Sequence, residues 1–135
     1  MIRQQIVGEE DCLYINVYTP DINKEARKPV LVFIHPGGFN GGSGDDDIFG
    51  PDYFIDQDVI VVTFNSRLGV AGYLNTGDAN APGNTGLKDQ VMALNWVKEN
   101  IVNFGGCPNK VTIAGMSSGG ASVQFHLLSS MSRGK

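Results

Sequence analysis

The sequence predicts an α/β fold in which a central, mostly parallel sheet is flanked by helices. Three apolar runs rich in β-branched residues, at positions 30–34, 59–64 and 111–114, are typical of strands that are covered on both faces. Between the second and third runs, apolar residues recur at steps of three and four, as they do on one face of a helix. A strand, a helix and a strand in this order indicate a βαβ unit.

The remaining elements follow from local patterns. The helix between the strands is predicted over residues 86–104, because glycines and a proline follow it. Its apolar face comprises Val91, Leu94, Val97 and Ile101, widened by Met92 and Trp96. Alternation of apolar and polar residues over 13–17 indicates a half-buried strand. A second helix over 117–130 directly follows the third buried strand.

Composition excludes several classes of protein. A length of 135 residues fits one ordinary domain, and a net charge of −4 argues against a nucleic-acid-binding surface. No apolar run reaches the ~18 residues of a membrane span, and residues 1–7 are too few and too polar for a signal peptide. Cys12 and Cys107 fit no zinc module, and their pairing stays open between each other, the free state and an outside partner. We expect neither a metal nor a cofactor.

The junction between the third strand and the second helix carries a catalytic pattern. Gly115-Met116-Ser117-Ser118-Gly119 has the form G-x-S-x-G between a buried strand and a helix, which is the context of a nucleophile elbow. The glycines let strand and helix approach closely, and the helix N-terminus offers N–H groups to a developing oxyanion. An ordinary tight turn is the alternative interpretation of this pattern.

A glycine-rich loop follows the first apolar run. Residues 35–42 read HPGGFNGG, which is similar to the loop that completes the oxyanion hole of many hydrolases. Because Pro36 has no N–H, the donors in this loop must be Gly37 and Gly38. A flexible surface loop and a phosphate cradle are the alternatives, but no G-K-[ST] follows to support the cradle.

Further segments in register with these two resemble one family, the type-B carboxylesterases of the α/β-hydrolase group. The segments are residues 10–17 (EDCLYINV), 32–42, 65–70 (NSRLGV), 81–90 (APGNTGLKDQ), 93–97 (ALNWV), 104–108 (FGGCP) and 111–123. Together they cover nearly the whole chain, from about residue 9 to residue 134. The resemblance implies an incomplete α/β-hydrolase fold, with residues 1–135 forming the N-terminal part of the domain up to the nucleophile elbow.

The resemblance also implies an activity, which is hydrolysis of a small-molecule carboxylic ester by a serine esterase. Ser117 would be the nucleophile that forms the acyl-enzyme. The oxyanion hole would consist of the backbone N–H groups of Gly37, Gly38 and Ser118.

Outside the immediate site, the resemblance implies an ion pair between Arg67 and Asp89 that supports the structure behind the serine. From the residues alone, both could equally be ordinary surface charges. In secreted members of the family, the cysteine that matches Cys12 pairs with one further upstream, and this chain has no cysteine before Cys12. The resemblance therefore suggests a secreted or endomembrane protein, although no signal segment is present in the sequence.

Three positions depart from the family pattern. Met116 stands where glutamate is usual, which leaves a less anionic pocket and weakens any case for a cationic substrate. Ser118 stands where alanine is usual, and the residues offer no explanation for its hydroxyl. Cys107 stands at a commonly acidic position, where we expect a small, half-buried loop residue.

A serine nucleophile needs a base and an acid, which α/β-hydrolases place after the serine in the order Asp or Glu, then His. After Ser117 the chain contains no Asp or Glu and one histidine, His126. On the predicted helix, His126 would face about 180° away from Ser117, at ~13 Å along the axis. We expect it to be a packed or exposed helix histidine, and we expect His35 to shape the glycine-rich loop.

These 135 residues are therefore expected to be an inactive segment of a larger hydrolase. Two alternatives stay open. One is a non-catalytic adhesion or binding domain of the same fold, as in neuroligin-like proteins. The other is a truncated pseudo-enzyme that binds ligands without turnover.

Overall fold

The computed structural model describes residues 8–133 and shows a four-stranded sheet in this part of the chain. The strands are β1 Ile15–Tyr18, β2 Lys28–Ile34, β3 Ile60–Phe64 and β4 Gly106–Gly115. Their order in the sheet is β1-β3-β2-β4. Strand β2 is parallel to both of its neighbours, whereas β1 is antiparallel to β3. The predicted mostly parallel sheet is therefore confirmed, with an antiparallel strand at one edge.

The helices flank this sheet. They are α1 Asp52–Ile55, α2 Gly69–Tyr73, α3 Thr85–Asn100 and α4 Ser118–Leu128. The helix predicted over 86–104 consists of α3 and a 3₁₀ turn, Ile101–Phe104, that ends at Gly105 with a positive φ of 85°. Helices α1 and α2 have four and five residues, so they are too short to show a helical period in the sequence.

The core lies between the sheet and α3. Its buried residues are Val30, Val32, Ile34, Ile60, Val62, Phe64, Leu94, Val97 and Ile101. The continuous apolar runs of β2 and β3 supply most of this cluster, as expected for strands covered by other elements. Met92, which the helical pattern placed beside the apolar face, is 55% exposed and lies outside the core.

The register of the strands decides where the functional loops meet. Ile34 pairs with Gly115, and Phe33 pairs with both Ala114 and Thr63. Because β2, β3 and β4 run parallel, their carboxyl ends lie at the same edge of the sheet, where α/β folds bind ligands. The glycine-rich loop after β2 and the Gly115–Gly119 turn after β4 therefore start side by side.

Two expectations about the chain as a whole concern cysteines and membranes. Both thiols are free, and Cys12 is half-buried. The expectation for Cys107 was wrong, because this residue is buried and lies in strand β4 rather than in a loop. Within residues 8–133, none of the helices combines the length and the apolar character needed to cross a membrane.

Candidate active site

The backbone of Ser117 is held in a strained conformation at the start of α4. Its φ of 55° and ψ of −119° lie in a region that non-glycine residues rarely adopt. The N–H of Gly119 donates to the carbonyl of Met116 at 2.9 Å, and the N–H of Ala121 donates to the carbonyl of Ser117 at 3.0 Å. The first turn of the helix therefore fixes Ser117 while leaving the residue exposed.

Two glycines allow this turn to form. A Cβ atom on Gly115 would overlap the carbonyl carbon of Gly119 and lie 2.6 Å from its oxygen. A Cβ atom on Gly119 would overlap the carbonyl oxygen of Ile34 and lie 2.8 Å from its carbonyl carbon. The start of α4 thus packs backbone to backbone against the ends of both β4 and β2. The expectation that these glycines permit a close approach of strand and helix is confirmed.

The glycine-rich loop is anchored at Gly37. Its carbonyl accepts hydrogen bonds from the N–H groups of Asn40 at 3.0 Å and Gly41 at 3.1 Å. Its φ is +140°, and a Cβ atom there would overlap the carbonyl oxygen of Gly41. Only glycine fits this turn, so the loop needs Gly37 for its shape as well as for its N–H.

His35 lies inside the same loop and is buried. Its Nδ1 atom lies 2.8 Å from the carbonyl oxygen of Pro36. Since a carbonyl oxygen only accepts hydrogen bonds, Nδ1 must carry the proton. A Cβ atom on Gly42 would lie 2.6 Å from this nitrogen, so the ring packs closely beneath the returning chain. This arrangement agrees with the expectation that His35 shapes the loop.

A hydrogen bond links the loop to the serine turn. The N–H of Gly38 donates to Oγ of Ser118 at 3.0 Å, across 80 positions of sequence. Ser118 is 9% exposed, so the contact is largely shielded from water. The fold therefore brings the N–H of Gly38 to the start of α4, next to Ser117 in the sequence. A backbone N–H in such a position can stabilise a negatively charged oxygen.

Arg67 and Asp89 form a bidentate ion pair behind this edge of the sheet. Nε of Arg67 donates to Oδ2 of Asp89 at 2.8 Å, and Nη2 donates to Oδ1 at 2.7 Å. The backbone N–H of Arg67 also donates to Oδ2, at 2.9 Å. The Asp89 side chain is 4% exposed and the Arg67 side chain 42%. The side-chain hydrogen bonds to Asp89 raise the pKa of Arg67, and all three bonds tie the segment after β3 to α3.

His126 is buried in α4, and both of its ring nitrogens have partners away from Ser117. Nε2 lies 2.9 Å from Oε1 of Gln90, and Nδ1 lies 2.7 Å from Oγ of Ser132. Because the amide oxygen only accepts, Nε2 carries the proton and Nδ1 accepts from the Ser132 hydroxyl. Burial lowers the pKa of His126, which favours the neutral ring. Of the two expected roles, a packed or an exposed helix histidine, the structure shows the packed one, whereas nothing in the sequence indicated Gln90 as its partner.

Two cavities near this edge differ in size and content. One, of about 10 Å³, lies behind the turn beside Ser118, Gly119 and Ser122, and it has room for about one water molecule. The other, of about 170 Å³, lies between the segment at Leu13 and helix α3. Ser117 lines neither cavity. Among residues 8–133, Ser117 lies on an open surface, next to a Met116 side chain that is 57% exposed.

Comparison with known proteins places this arrangement in a family. The model of the carboxylesterase family matches residues 1–135. Juvenile hormone esterase of Tribolium castaneum is 59% identical over 130 residues, covering 96% of this chain and 22% of that protein. Esterase FE4 of Myzus persicae is 52% identical over 135 residues, covering 96% of this chain and 24% of that protein.

A solved structure agrees with the sequence comparison. The crystal structure of juvenile hormone esterase from Manduca sexta, with OTFP covalently attached, has a TM-score of 0.89 to this chain at 46% identity. The match covers 93% of this chain and 24% of that one. The chain thus spans about a quarter of the length of the relatives it matches. The strained serine between β4 and α4 agrees with the family match over residues 1–135. The chain belongs to the carboxylesterase family and has part of the α/β-hydrolase fold.

Proposed function

We propose that this chain supplies the nucleophile and the oxyanion hole of a carboxylic-ester hydrolase. The observation that carries the proposal is the geometry of Ser117, an exposed serine with a φ of 55° between a buried strand and the N-terminus of a helix. Backbone strain of this kind persists only where the surroundings enforce it, and it is common at active sites. The carboxylesterases among the relatives support hydrolysis of an ester as the reaction.

In the proposed reaction, the Ser117 hydroxyl attacks the carbonyl carbon of the ester while a base takes its proton. The tetrahedral oxyanion accepts hydrogen bonds from the N–H groups of Gly37, Gly38 and Ser118. When the intermediate collapses, the alcohol leaves with the proton and the acyl group stays on Ser117. A water molecule then releases the carboxylic acid by the same steps. The backbone N–H groups supply the charge stabilisation, so the scheme uses no metal or cofactor.

We propose that the base and its acidic partner lie outside these 135 residues. Both ring nitrogens of His126 are bound to Gln90 and Ser132. The buried ring of His35 bonds to the carbonyl of Pro36, within its own loop. Arg67 and Asp89 are proposed to have a structural role, since the Asp89 carboxylate is already bound by three donors. On this proposal the 135-residue chain does not turn over esters by itself.

The substrate is proposed to be a small-molecule carboxylic ester without a required positive charge. Names among the relatives include juvenile hormone esterase and human bile salt-activated lipase, and ester cleavage is the chemistry they share. Met116, beside the nucleophile, is exposed and carries no charge that would attract a cationic alcohol group.

The test is active-site labelling of the whole protein that carries these residues. A fluorophosphonate probe should label the protein, and Ser117→Ala should abolish the labelling. Ser130→Ala, which removes an exposed hydroxyl just beyond α4, should leave it unchanged. A folded protein that is not labelled at Ser117 would favour the non-catalytic binding domain instead. Ester turnover by the 135-residue chain alone, abolished by Ser117→Ala, would contradict the proposal that the base lies elsewhere.

A further inference from the structure

The hydroxyl of Ser118 accepts a hydrogen bond from an N–H group that the proposed reaction needs. The Gly38 amide donates to Oγ of Ser118 at 3.0 Å, and Ser118 is 9% exposed. The same amide is one of the three proposed oxyanion donors. An amide nitrogen has one hydrogen to donate. The serine hydroxyl and the oxygen of a substrate therefore compete for it.

The two glycines of the loop differ in their surroundings. The carbonyl of Gly37 accepts two hydrogen bonds, and a Cβ atom there would overlap Gly41. Around Gly38, in contrast, a Cβ atom would meet nothing within 4 Å. There is thus open space beside Gly38. Its N–H belongs to the same planar peptide unit as the Gly37 carbonyl, so the two hydrogen bonds that this carbonyl accepts also fix the direction of the N–H. The Ser118 hydroxyl therefore accepts from an amide that the loop already holds in place.

We propose that the Ser118 hydroxyl is an internal competitor for the Gly38 amide, which the carbonyl oxygen of the substrate must displace before that donor can stabilise the oxyanion. The inference rests on the proposed function. The hydroxyl yields by rotating about χ1, because an anionic oxygen is a stronger acceptor than a neutral hydroxyl. Ser118 is then a positioning residue, since it acts on the reaction through the Gly38 amide, and its hydroxyl lowers the reaction rate.

The test compares variants of the whole protein with and without the hydroxyl. Ser118→Ala and Ser118→Gly remove it, and each should raise kcat/KM for p-nitrophenyl acetate about twofold to tenfold, the worth of one net hydrogen bond. The second-order rate of fluorophosphonate labelling should rise by a similar factor. Ser118→Thr keeps a hydroxyl and should show no gain. A hydrogen bond with a merely structural role would give no gain on removal, which makes the direction of the change diagnostic.

Ser122→Ala is the matched control, since it removes a fully buried hydroxyl from the same helix. It should leave kcat/KM within about twofold of the wild type. If wild-type Ser117 is labelled but both hydroxyl-free variants are unchanged or slower, the competitor inference is overturned and the proposed function stands. A gain in Ser118→Thr equal to that in Ser118→Ala also overturns it. If a folded wild-type protein is not labelled at all, both proposals fall.

Discussion

Helices α3 and α4 pack on the same sheet by different means. Helix α3 has 16 residues and buries the polar Asp89 and Gln90, but its contribution to the hydrophobic core is apolar: Leu94 and Val97, continued by Ile101. Helix α4 has 11 residues, and its buried positions are small or polar: Ser118, Gly119, Ser122 and His126. Its large apolar side chains lie outward, with Phe125 46%, Leu127 66% and Leu128 73% exposed.

The two helices therefore differ in how strictly their contacts with the sheet fix their positions. Burial of apolar side chains attaches α3, and such contacts tolerate small shifts when side chains repack. Helix α4 is positioned by backbone contact at Gly119 and by the hydrogen bonds of His126, which tolerate little displacement. The helix that follows Ser117 is thus held by contacts that leave little room for a shift. Substitutions in the two helices should therefore differ in their effects on the labelling of Ser117 and on the free energy of unfolding.

The largest effect is expected from Gly119→Ala in the whole protein. The added Cβ atom would overlap the carbonyl oxygen of Ile34, so α4 must move away from β2. We expect the rate of fluorophosphonate labelling at Ser117 to fall ~100-fold or more, as a misplacement of about 1 Å can cause. The free energy of unfolding, measured in urea, should also fall by ~1–3 kcal/mol.

Gly120→Ala is the matched control for this change. Its Cβ atom would lie 3.2 Å from the carbonyl oxygen of Gly115, a tight contact without overlap. The better helix propensity of alanine, about 1 kcal/mol, offsets that contact. Equal labelling rates in the two variants would show that close backbone approach does not position Ser117.

A smaller and purely energetic effect is expected from Leu94→Ala on α3. Leu94 is 5% exposed in the core, and a cavity there should lower the free energy of unfolding by ~2–5 kcal/mol. Labelling of Ser117, expressed per folded molecule, should stay at the wild-type rate. Glu99→Ala, an exposed position on the same helix, should change stability by no more than ~0.5 kcal/mol. A loss of labelling in Leu94→Ala as large as in Gly119→Ala would remove the distinction between the two helices.

The smallest effect concerns the pH dependence of stability, to which His126 on α4 contributes. Burial lowers the pKa of His126 below its ordinary value of 6.5. As the pH falls through 6.5, the unfolded chain binds a proton that the folded chain does not, so stability present above this pH is lost below it. The loss has a slope of at most ~1.4 kcal/mol per pH unit.

Urea unfolding of the whole protein at about pH 7.5 and about pH 5.5 measures this effect. His126→Gln keeps an N–H donor for Gln90 and does not titrate, so it should lose less stability than the wild type between the two pH values. An identical loss in both proteins would show that His126 does not contribute to the pH dependence.

The same contrast explains which elements the sequence predicted. Helix α3 followed from the recurrence of Leu94 and Val97, and β2 and β3 followed from continuous apolar runs, because burial leaves a periodic signal. Helix α4 was predicted from Val123, Leu127 and Leu128 after the third buried strand, although Leu127 and Leu128 are exposed and the buried residues of the helix form no apolar face. The order of the strands, with β2 between β3 and β4, depends on long-range pairing and has no local signal.

In the candidate site, too, local features could be predicted from the sequence and long-range contacts could not. Positions that depend on one turn, such as Gly115 and Gly119, could be assigned from their spacing because strand, turn and helix are consecutive. The bond from Gly38 to Ser118 joins residues 80 positions apart, so no local pattern could indicate it. The pairing of His126 with Gln90, 36 positions away, is of the same kind. The geometry of the fold was needed to give the unexplained hydroxyl of Ser118 a partner.

The contact between Gly115 and Gly119 also restricts how this segment can diverge. The two residues meet through backbone atoms, since a Cβ atom on Gly115 would overlap the carbonyl carbon of Gly119. A larger residue in an ordinary core can be accommodated when a neighbour becomes smaller, but neither of these glycines can shrink further. No second-site suppressor of the usual kind is therefore available at this pair. A combinatorial library at positions 115 and 119 should yield no compensated double replacements, which makes the turn a poor place for redesign.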